Sequence, residues 1–473
     1  MPRRFIASAI LAFLVSHAPV YAEALRPVVE RLARGAVAVH RSDGTVFVSW
    51  RLLADDPEGV AFNIYRGTAP PPHGQRGGVG PPAAQSTGDR GPTKLNDTPL
   101  TSGTWFIDRT ARLDRETKYS VRAVVDGVEG EPHGSFVLPA NAEPLPYFSI
   151  PIQTPAGYTP NDASLGDLDG DGDYEIVLKQ EQNPRDNAHA GMTGETLLQA
   201  YKFDGTLLWT INLGKNIREG AHYTMFMVID LDGDGRAEVA CKTADGTVDG
   251  TGKIIGDANA DWREGSDASV PTRDRTGATE TSAGMVARLE GRIVRGPEYL
   301  TVFDGFTGAA LATADYIPGR HPDTQNPTAE QMTSVWGDGY ANRSDRFLAG
   351  VAYLDGHLPS LIFCRGYYTR SVITAWDYRD GALTSRWVFD SDKLGPPDRS
   401  NPWRGQGNHQ LSIADVERGE VHDGTWQPGR KMSGDDMLLN YSLAGAAAAG
   451  QSGSGLQFGP DGPTLQRVTL YRY

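Results

Sequence analysis

The chain has 473 residues with 59 acidic against 45 basic side chains, a formal net charge of −14, and it is rich in glycine (56) and proline (31). Such acidity disfavours nucleic acid or an anionic membrane as a partner. Two cysteines are too few for a disulfide framework, and many short apolar runs between Gly and Pro argue for β structure over long helices.

Met1 to Ala22 reads as a secretory signal peptide: Arg3 and Arg4 start it, Phe5 to Val15 form its apolar core, and Val20-Tyr21-Ala22 offers small residues for cleavage. The apolar run is too short to cross a bilayer and no later run is longer. The expected mature protein is secreted (extracellular or periplasmic), monomeric, and exposed to abundant calcium. Cys241 and Cys364 lie in apolar strand-like runs and read as buried thiols.

Residues 26–140 read as a small β-sandwich, with alternating runs at Ala36–His40, Val46–Arg51, Ala61–Arg66, Trp105–Asp108 and Tyr119–Val125. The phrase TKYSVRAVVDGVEG is similar to the late hairpin of an immunoglobulin or fibronectin III-like module. Gly67 to Pro99 is a Gly/Pro-rich loop, and residues 141–160 form a Pro-punctuated linker.

The most informative feature follows. GDLDGDGDYEIVLK places Asp167, Asp169, Asp171 and Glu175 at positions one, three, five and nine of a turn; IDLDGDGRAEVACK repeats this with Asp230, Asp232, Asp234 and Glu238. So many carboxylates in so few residues repel one another unless a hard cation, Ca²⁺ by preference, neutralises them. No bidentate Glu stands at position twelve, and a β-branched run replaces the helix of an EF-hand. The loops are therefore structural calcium staples in a β-repeat. Asp173 and Arg236 complete the ligand candidates of the two loops, and Asp245 and Asp249 in KTADGTVDGTGK are further ones, weighed against a plain Gly-rich surface loop.

From residue 161 the pattern repeats: strand, acidic loop, strand, then a hairpin with an aromatic residue. The hairpins span 197–214, 299–316 and 371–390, and other strands are expected near Met225–Asp230, Glu238–Thr243, Phe347–Leu354 and Ser360–Arg365. Four short strands per unit predict a calcium-rich β-propeller over 161–415, with about three complete blades and the start of a fourth. Trp209, Trp376 and Trp387 are expected in its core; Asp55-Asp56 and Arg343–Arg346 read as solvated faces. Residues 416–473 break the pattern, as a frameshift would, and read as a divergent, poorly ordered tail.

The strings NDASLGDLDGDGDYEIVLK, INLGKNIREGAHYTMFMVIDLDGDGRAEVACK, GPEYLTVFDGFTGAAL and GQGNHQLSIADV resemble bacterial rhamnogalacturonan lyases, family eleven of the polysaccharide lyases. That resemblance implies an eight-bladed propeller behind an N-terminal β-sandwich, and cleavage of the rhamnose–galacturonate backbone of pectin (rhamnogalacturonan I) by β-elimination. It assigns sugar contact to Asn161, calcium ligation to Asp162, and a place near a further calcium to His409. Where the family has Lys-Trp-Asp, this chain has Lys179-Gln180-Glu181, so Glu181 replaces the sugar-binding Asp. The family's catalytic basic and tyrosine residues belong to blades lacking here. No base can be assigned, and weak or absent turnover is expected. The competing expectation is a non-catalytic carbohydrate-binding or adhesion propeller. His222 fits a cleft wall and an ordinary loop histidine equally.

Overall fold

A computed structural model describes residues 27–53, 55–68, 91–273, 278–282, 284–405 and 411–414, and the main chain of five short strands beyond residue 436. The expected signal peptide, His409 and most of the Gly/Pro-rich insert lie outside the described residues.

Strand alternation builds the N-terminal part. Val46–Ser49 buries every second residue, so Val46 and Val48 face inward while Phe47 faces outward against Trp105. This strand pairs antiparallel with Val37–His40 and Trp105–Asp108. A second sheet runs Thr93–Lys94, Ala61–Gly67, Thr117–Val125, Val128–Leu138. The two sheets share apolar clusters: Ala38, Val46 and Val48 meet Tyr119 and Leu138, and Trp50 meets Phe62, Ile64 and Val121. The expectation of a solvated face fails at Asp56. Its carboxylate is buried and forms a two-point pair with the Arg34 guanidinium, which neutralises both charges.

The next three sheets are copies of one plan. The first joins Thr159–Gly166, Glu175–Glu181, Leu197–Tyr201 and Leu207–Asn212, and continues through Thr247–Val248 to Ile254–Ile255. The second joins Phe226–Ile229, Glu238–Thr243, Tyr299–Phe303 and Ala310–Asp315. The third joins Phe347–Ala352, Ser360–Arg365, Val372–Arg379 and Ala382–Asp390. All pairings are antiparallel, and every sheet has a register shift in its third strand, at Ala200/Tyr201, Val302/Phe303 and Ala375/Trp376. Such a bulge bends the strand and increases its twist, here at equivalent places.

Apolar faces glue successive sheets together. Val177, Leu198, Ala200 and Trp209 of the first pack on Ala237, Val239 and Cys241 of the second. Leu300 and Val302 of the second pack on Phe347, Leu361 and Trp376 of the third. Trp209, Trp376 and Trp387 are all core, and Cys241 and Cys364 are buried free thiols. Behind the third sheet lies Leu411–Ala414, paired with Met437–Tyr441, then Leu456–Gly459 and Gly462–Pro463. Three short strands from beyond residue 415 thus join this sheet.

The long insertion after Asp249 holds a three-stranded sheet, with Gly284–Arg288 between Ser269–Pro271 and Ala278–Thr281. It packs with the α-helix Ala329–Trp336. Thr328 caps that helix, its hydroxyl accepting from Gln331 N–H while the Gln331 side chain reciprocates, and Gly337 ends it at φ +93°. At the opposite edge, the N-terminal segment runs across the acidic turns. Ala33 N–H donates to Gly172 O (2.6 Å), Val28 N–H donates to His357 O (2.8 Å), and the Tyr353 hydroxyl donates to Val28 O (3.0 Å).

Close approach of sheets has a glycine at its narrowest point. A Cβ on Gly305 would sit 1.8 Å from Ala237 O, and Gly305 O accepts the Trp209 indole N–H at 2.7 Å. Gly305→Ala should therefore destabilise by about 1–3 kcal/mol through overpacking, read as a lower urea midpoint with unchanged slope. An unchanged midpoint would contradict this packing.

Candidate functional site

Each acidic turn is folded by its own first aspartate. Asp167 is buried, and its two oxygens accept from Gly170 N–H (2.7 Å) and Gly172 N–H (2.8 Å). Asp230 does the same with Gly233 and Gly235 (2.7 and 2.9 Å). These glycines have φ between +79° and +93°, which a side chain would oppose. Glu175 and Glu238 close the loops by accepting from Leu168 and Leu231 N–H. Ligand-type oxygens of Asp167, Asp169 and Glu175 converge within 4.8 Å of one another, as do those of Asp230, Asp232 and Asp234.

The electrostatics show what is needed there. Burial pushes Glu175 up to about 7 and Glu238 up to about 9, with the neighbouring aspartates adding to the effect. Such shifts mean carboxylates lacking enough positive charge, so the all-oxygen donor sets fit a hard divalent cation. In the first loop Lys202 Nζ supplies part of it, 2.5 Å from Asp169 and 3.3 Å from Asp171. In the second, Arg236 turns its guanidinium onto Asp234 (2.8 Å), so only its main-chain oxygen is left as a ligand. Half-buried Glu30 sits between the loops; burial raises its pKa, opposed by the main-chain N–H groups of Asp167 and Asp230.

The second strand of each sheet leads away from its loop to a different chemistry. Glu175–Glu181 has seven residues, so Glu181 stands roughly 20 Å from the acidic turn at about 3.3 Å per residue. There Lys179, fully buried, holds Asp162 at 2.7 Å and Glu181 at 3.8 Å. Asn161 Nδ2 donates to one Glu181 oxygen (3.0 Å) and Gly220 N–H to the other (3.0 Å). Burial raises the Glu181 pKa. Asn161 and Asp162 themselves are exposed on the edge strand Thr159–Gly166.

Residues 147–427 match the family model "Rhamnogalacturonan lyase family 11, C-terminal domain", and residues 27–70 match "Rhamnogalacturonan I lyases beta-sheet domain". The chain belongs to rhamnogalacturonan lyase family 11. It is 46% identical over 429 residues to rhamnogalacturonan endolyase YesW of Bacillus subtilis (strain 168), spanning 88% of this chain and 58% of that protein. Rhamnogalacturonan exolyase YesX of the same organism is 45% identical over 399 residues, 82% of this chain and 54% of that one. Crystallised YesX superposes with a TM-score of 0.68 at 41% identity, covering 93% of this chain and 59% of the other. The Bacillus licheniformis rhamnogalacturonan lyase PL11 gives 0.68 at 43%, covering 93% and 61%. The chain thus spans little more than half the length of the curated relatives it matches.

Against this family background, the expected residues fall into separate groups. Asp167, Asp169, Asp171 and Glu175 share one loop with exposed Asp173, and Asp230, Asp232, Asp234 and Glu238 share another with Arg236. Asp162 is in neither; it faces Lys179 at the far end of the strand. Asp245 accepts from Asp257 N–H, the Trp262 indole and the Tyr299 hydroxyl. Asp249 likewise accepts from the main chain of Thr251, Lys253 and Ala310. Sequence reasoning missed a recurrence. Lys179 and Lys242 occupy equivalent positions near the ends of the first two second strands, and Arg365 ends the third one residue past the equivalent place, which Cys364 holds; all three cations are buried and each is paired with a carboxylate. The signal was legible as a lysine four residues after Glu175 and Glu238; in the third strand Ser360 and Cys364 stand at those two places, and Arg365 lies one residue beyond.

Metal-free protein should have an inverted acid profile. An acid with a raised folded pKa binds its proton more tightly folded than unfolded, so stability falls as pH rises from about 4.5, the ordinary Glu value, towards the folded value of about 9 at Glu238. Chelated protein should melt progressively lower between pH 5 and 9, and added Ca²⁺ should restore the loss most at the alkaline end, where the ligands are ionised. Melting curves unmoved by chelator would rule out the staple.

Proposed function

We propose that this chain acts on rhamnogalacturonan I as a lyase of the β-eliminating kind, using the strand ends around Asn161, Lys179 and Glu181 to hold the polymer. The carrying observation is the pairing of family membership with that cluster, in which an exposed amide and acid are held by a buried lysine. The YesW and YesX names support cleavage of rhamnogalacturonan, one as an endolyase and the other as an exolyase.

The architecture is read as a calcium-stapled propeller arc, its three repeated sheets as blades, behind a β-sandwich made by the two N-terminal sheets. The domain limits remain those expected: sandwich 26–140, linker 141–160, propeller from 161. Secretion as a monomer suits loops that need millimolar calcium. In β-elimination the proton beside the uronate carboxylate is removed and the bond to rhamnose at O4 breaks. A cation at that carboxylate supplies the charge that stabilises the enediolate. Calcium in the two acidic turns would sit roughly 20 Å from Glu181, so there it holds the fold. This chain's own residues act by position: Lys179 fixes Asp162 and Glu181, and Asn161 offers its amide to a sugar hydroxyl. Weak turnover is part of this proposal.

Any product released should carry an unsaturated uronide that absorbs in the ultraviolet. Asn161→Ala should weaken binding of a rhamnogalacturonan oligosaccharide by roughly 10-fold, about 1.4 kcal/mol, without lowering the melting temperature. Binding with no absorbing product from any concentration of protein would favour the carbohydrate-binding reading, and no binding would remove both.

A further inference from the structure

Beyond the Asn161 cluster, the loops at the same end of the second and third sheets gather positive charge in a protein whose net charge is −14. At the base, Lys242, Arg320 and Arg365 surround Glu298 at 2.7–3.0 Å, and Arg320 and Arg365 also share Asp345 at 3.2 and 3.3 Å. Three buried cations thus face two carboxylates. Beside them, Arg292 is buried and donates to the main-chain oxygens of Asn187, Ala188 and Tyr340. Arg218, also buried, donates to those of His189 and Gly191 and to the Tyr223 hydroxyl. Neutral oxygens meet Arg218, and the buried Asp338 carboxylate offsets part of the charge of Arg292, so these five cations face three carboxylates.

Above this base, Arg343 and Arg346 reach the surface. The Arg343 guanidinium carbon lies 5.2 Å and 5.1 Å from the ring centres of Tyr367 and Tyr368, and that of Arg346 lies 5.0 Å from Tyr367. The Tyr367 ring is fixed, its hydroxyl donating to Asn342 Oδ1 (2.8 Å) and accepting from Asn187 (3.1 Å). Tyr368 is 42% exposed and held at φ +57°, a conformation that an L-residue adopts at an energetic cost. The Arg346 guanidinium is 3.2 Å from His222 Nε2, which lies 3.3 Å from exposed Asp186. The segment expected to be a solvated face is thus a stacked arginine–tyrosine cluster.

Its position ties it to the sugar site. Gly220, whose N–H binds Glu181, precedes His222 by two residues, and His222 is the neighbour of Arg346. The His222 main chain therefore lies within roughly 11 Å of the Glu181 carboxylate, at about 3.8 Å per residue plus a hydrogen bond, and His222 in turn reaches Arg346. A planar guanidinium pair suits a carboxylate, and an exposed tyrosine suits the apolar face of a pyranose.

We propose that Arg343, Arg346 and Tyr368 form a metal-independent subsite for a uronate residue of the polymer, the arginines pairing with its carboxylate and the tyrosine stacking on its ring. This rests on the polymer reading above and adds where an acidic sugar is held. The buried positive base raises the affinity of the subsite for anions without touching the sugar.

The test is calorimetry of the calcium-loaded full chain with a short rhamnogalacturonan oligosaccharide and with the same oligosaccharide after reduction of its carboxylates to alcohols. Wild-type protein should prefer the acidic form by at least 10-fold. Arg343→Gln and Arg346→Gln should bring that ratio close to 1, Arg343→Lys should keep part of it, and Tyr368→Ala should weaken both ligands alike. A wild-type ratio in the two glutamine variants, or equal binding of both sugars by wild-type protein, overturns the subsite. Should a glutamine variant fail to fold, Arg343→Lys decides, since an unchanged ratio there also overturns bidentate pairing. Lost discrimination without any ultraviolet-absorbing product would remove the lyase reading and leave the subsite. Product formation with intact discrimination would do the reverse.

Discussion

Mutual repulsion of carboxylates at the turn between the first two strands governs this molecule. The first two repeated sheets enter their second strand through a loop whose acids cannot all be ionised without a counter-charge. The loop geometry is set by Asp167 and Asp230 gripping amides of glycines in left-handed conformations. These turns set where the next strand departs, and with it the apolar face offered to the following sheet.

The strands then act as spacers. Because one strand joins each acidic turn to the opposite end of its sheet, two kinds of charge cluster are kept apart. Carboxylates converge at one end, and side chains with paired opposite charges gather at the other. Lys179 and Lys242 mark that second end in the first two sheets and Arg365, one residue further along, in the third, yet their partners differ: Asp162 and Glu181 in the first sheet, Glu298 in the second, Glu298 and Asp345 in the third. Each sheet ends in a buried cation and varies what it holds.

Much of this was legible beforehand because it is periodic. The acidic turns, the strands Glu238–Thr243 and Ser360–Arg365 and the hairpins around Trp209 and Trp376 follow from two-residue alternation and turn chemistry. What was hidden depends on contacts remote in sequence. Asp56 looked solvated until Arg34 met it, and nothing local announces that Trp262 and Tyr299 hydrogen-bond to Asp245. The arginine–tyrosine cluster joins residues 222, 343, 346 and 367, which no local pattern connects. The helix Ala329–Trp336 is too short and too isolated to rise above its Gly- and Pro-rich surroundings.

The third repeat departs from its siblings in a way that sets an order of failure. Tyr353 stands where Asp167 and Asp230 stand, and its hydroxyl is tied to Val28 of the crossing N-terminal segment. Nearby, Arg379 reaches Asp355 and the main-chain oxygens of Leu358 and Pro359. At this corner a hydrogen bond to the crossing segment and a resident guanidinium stand where the other two gather carboxylates. If cations fill those two turns, their withdrawal would slacken the molecule first at the Asp230 corner, next at the Asp167 corner with its lysine understudy, and last at the tyrosine corner, which carries its own fastening.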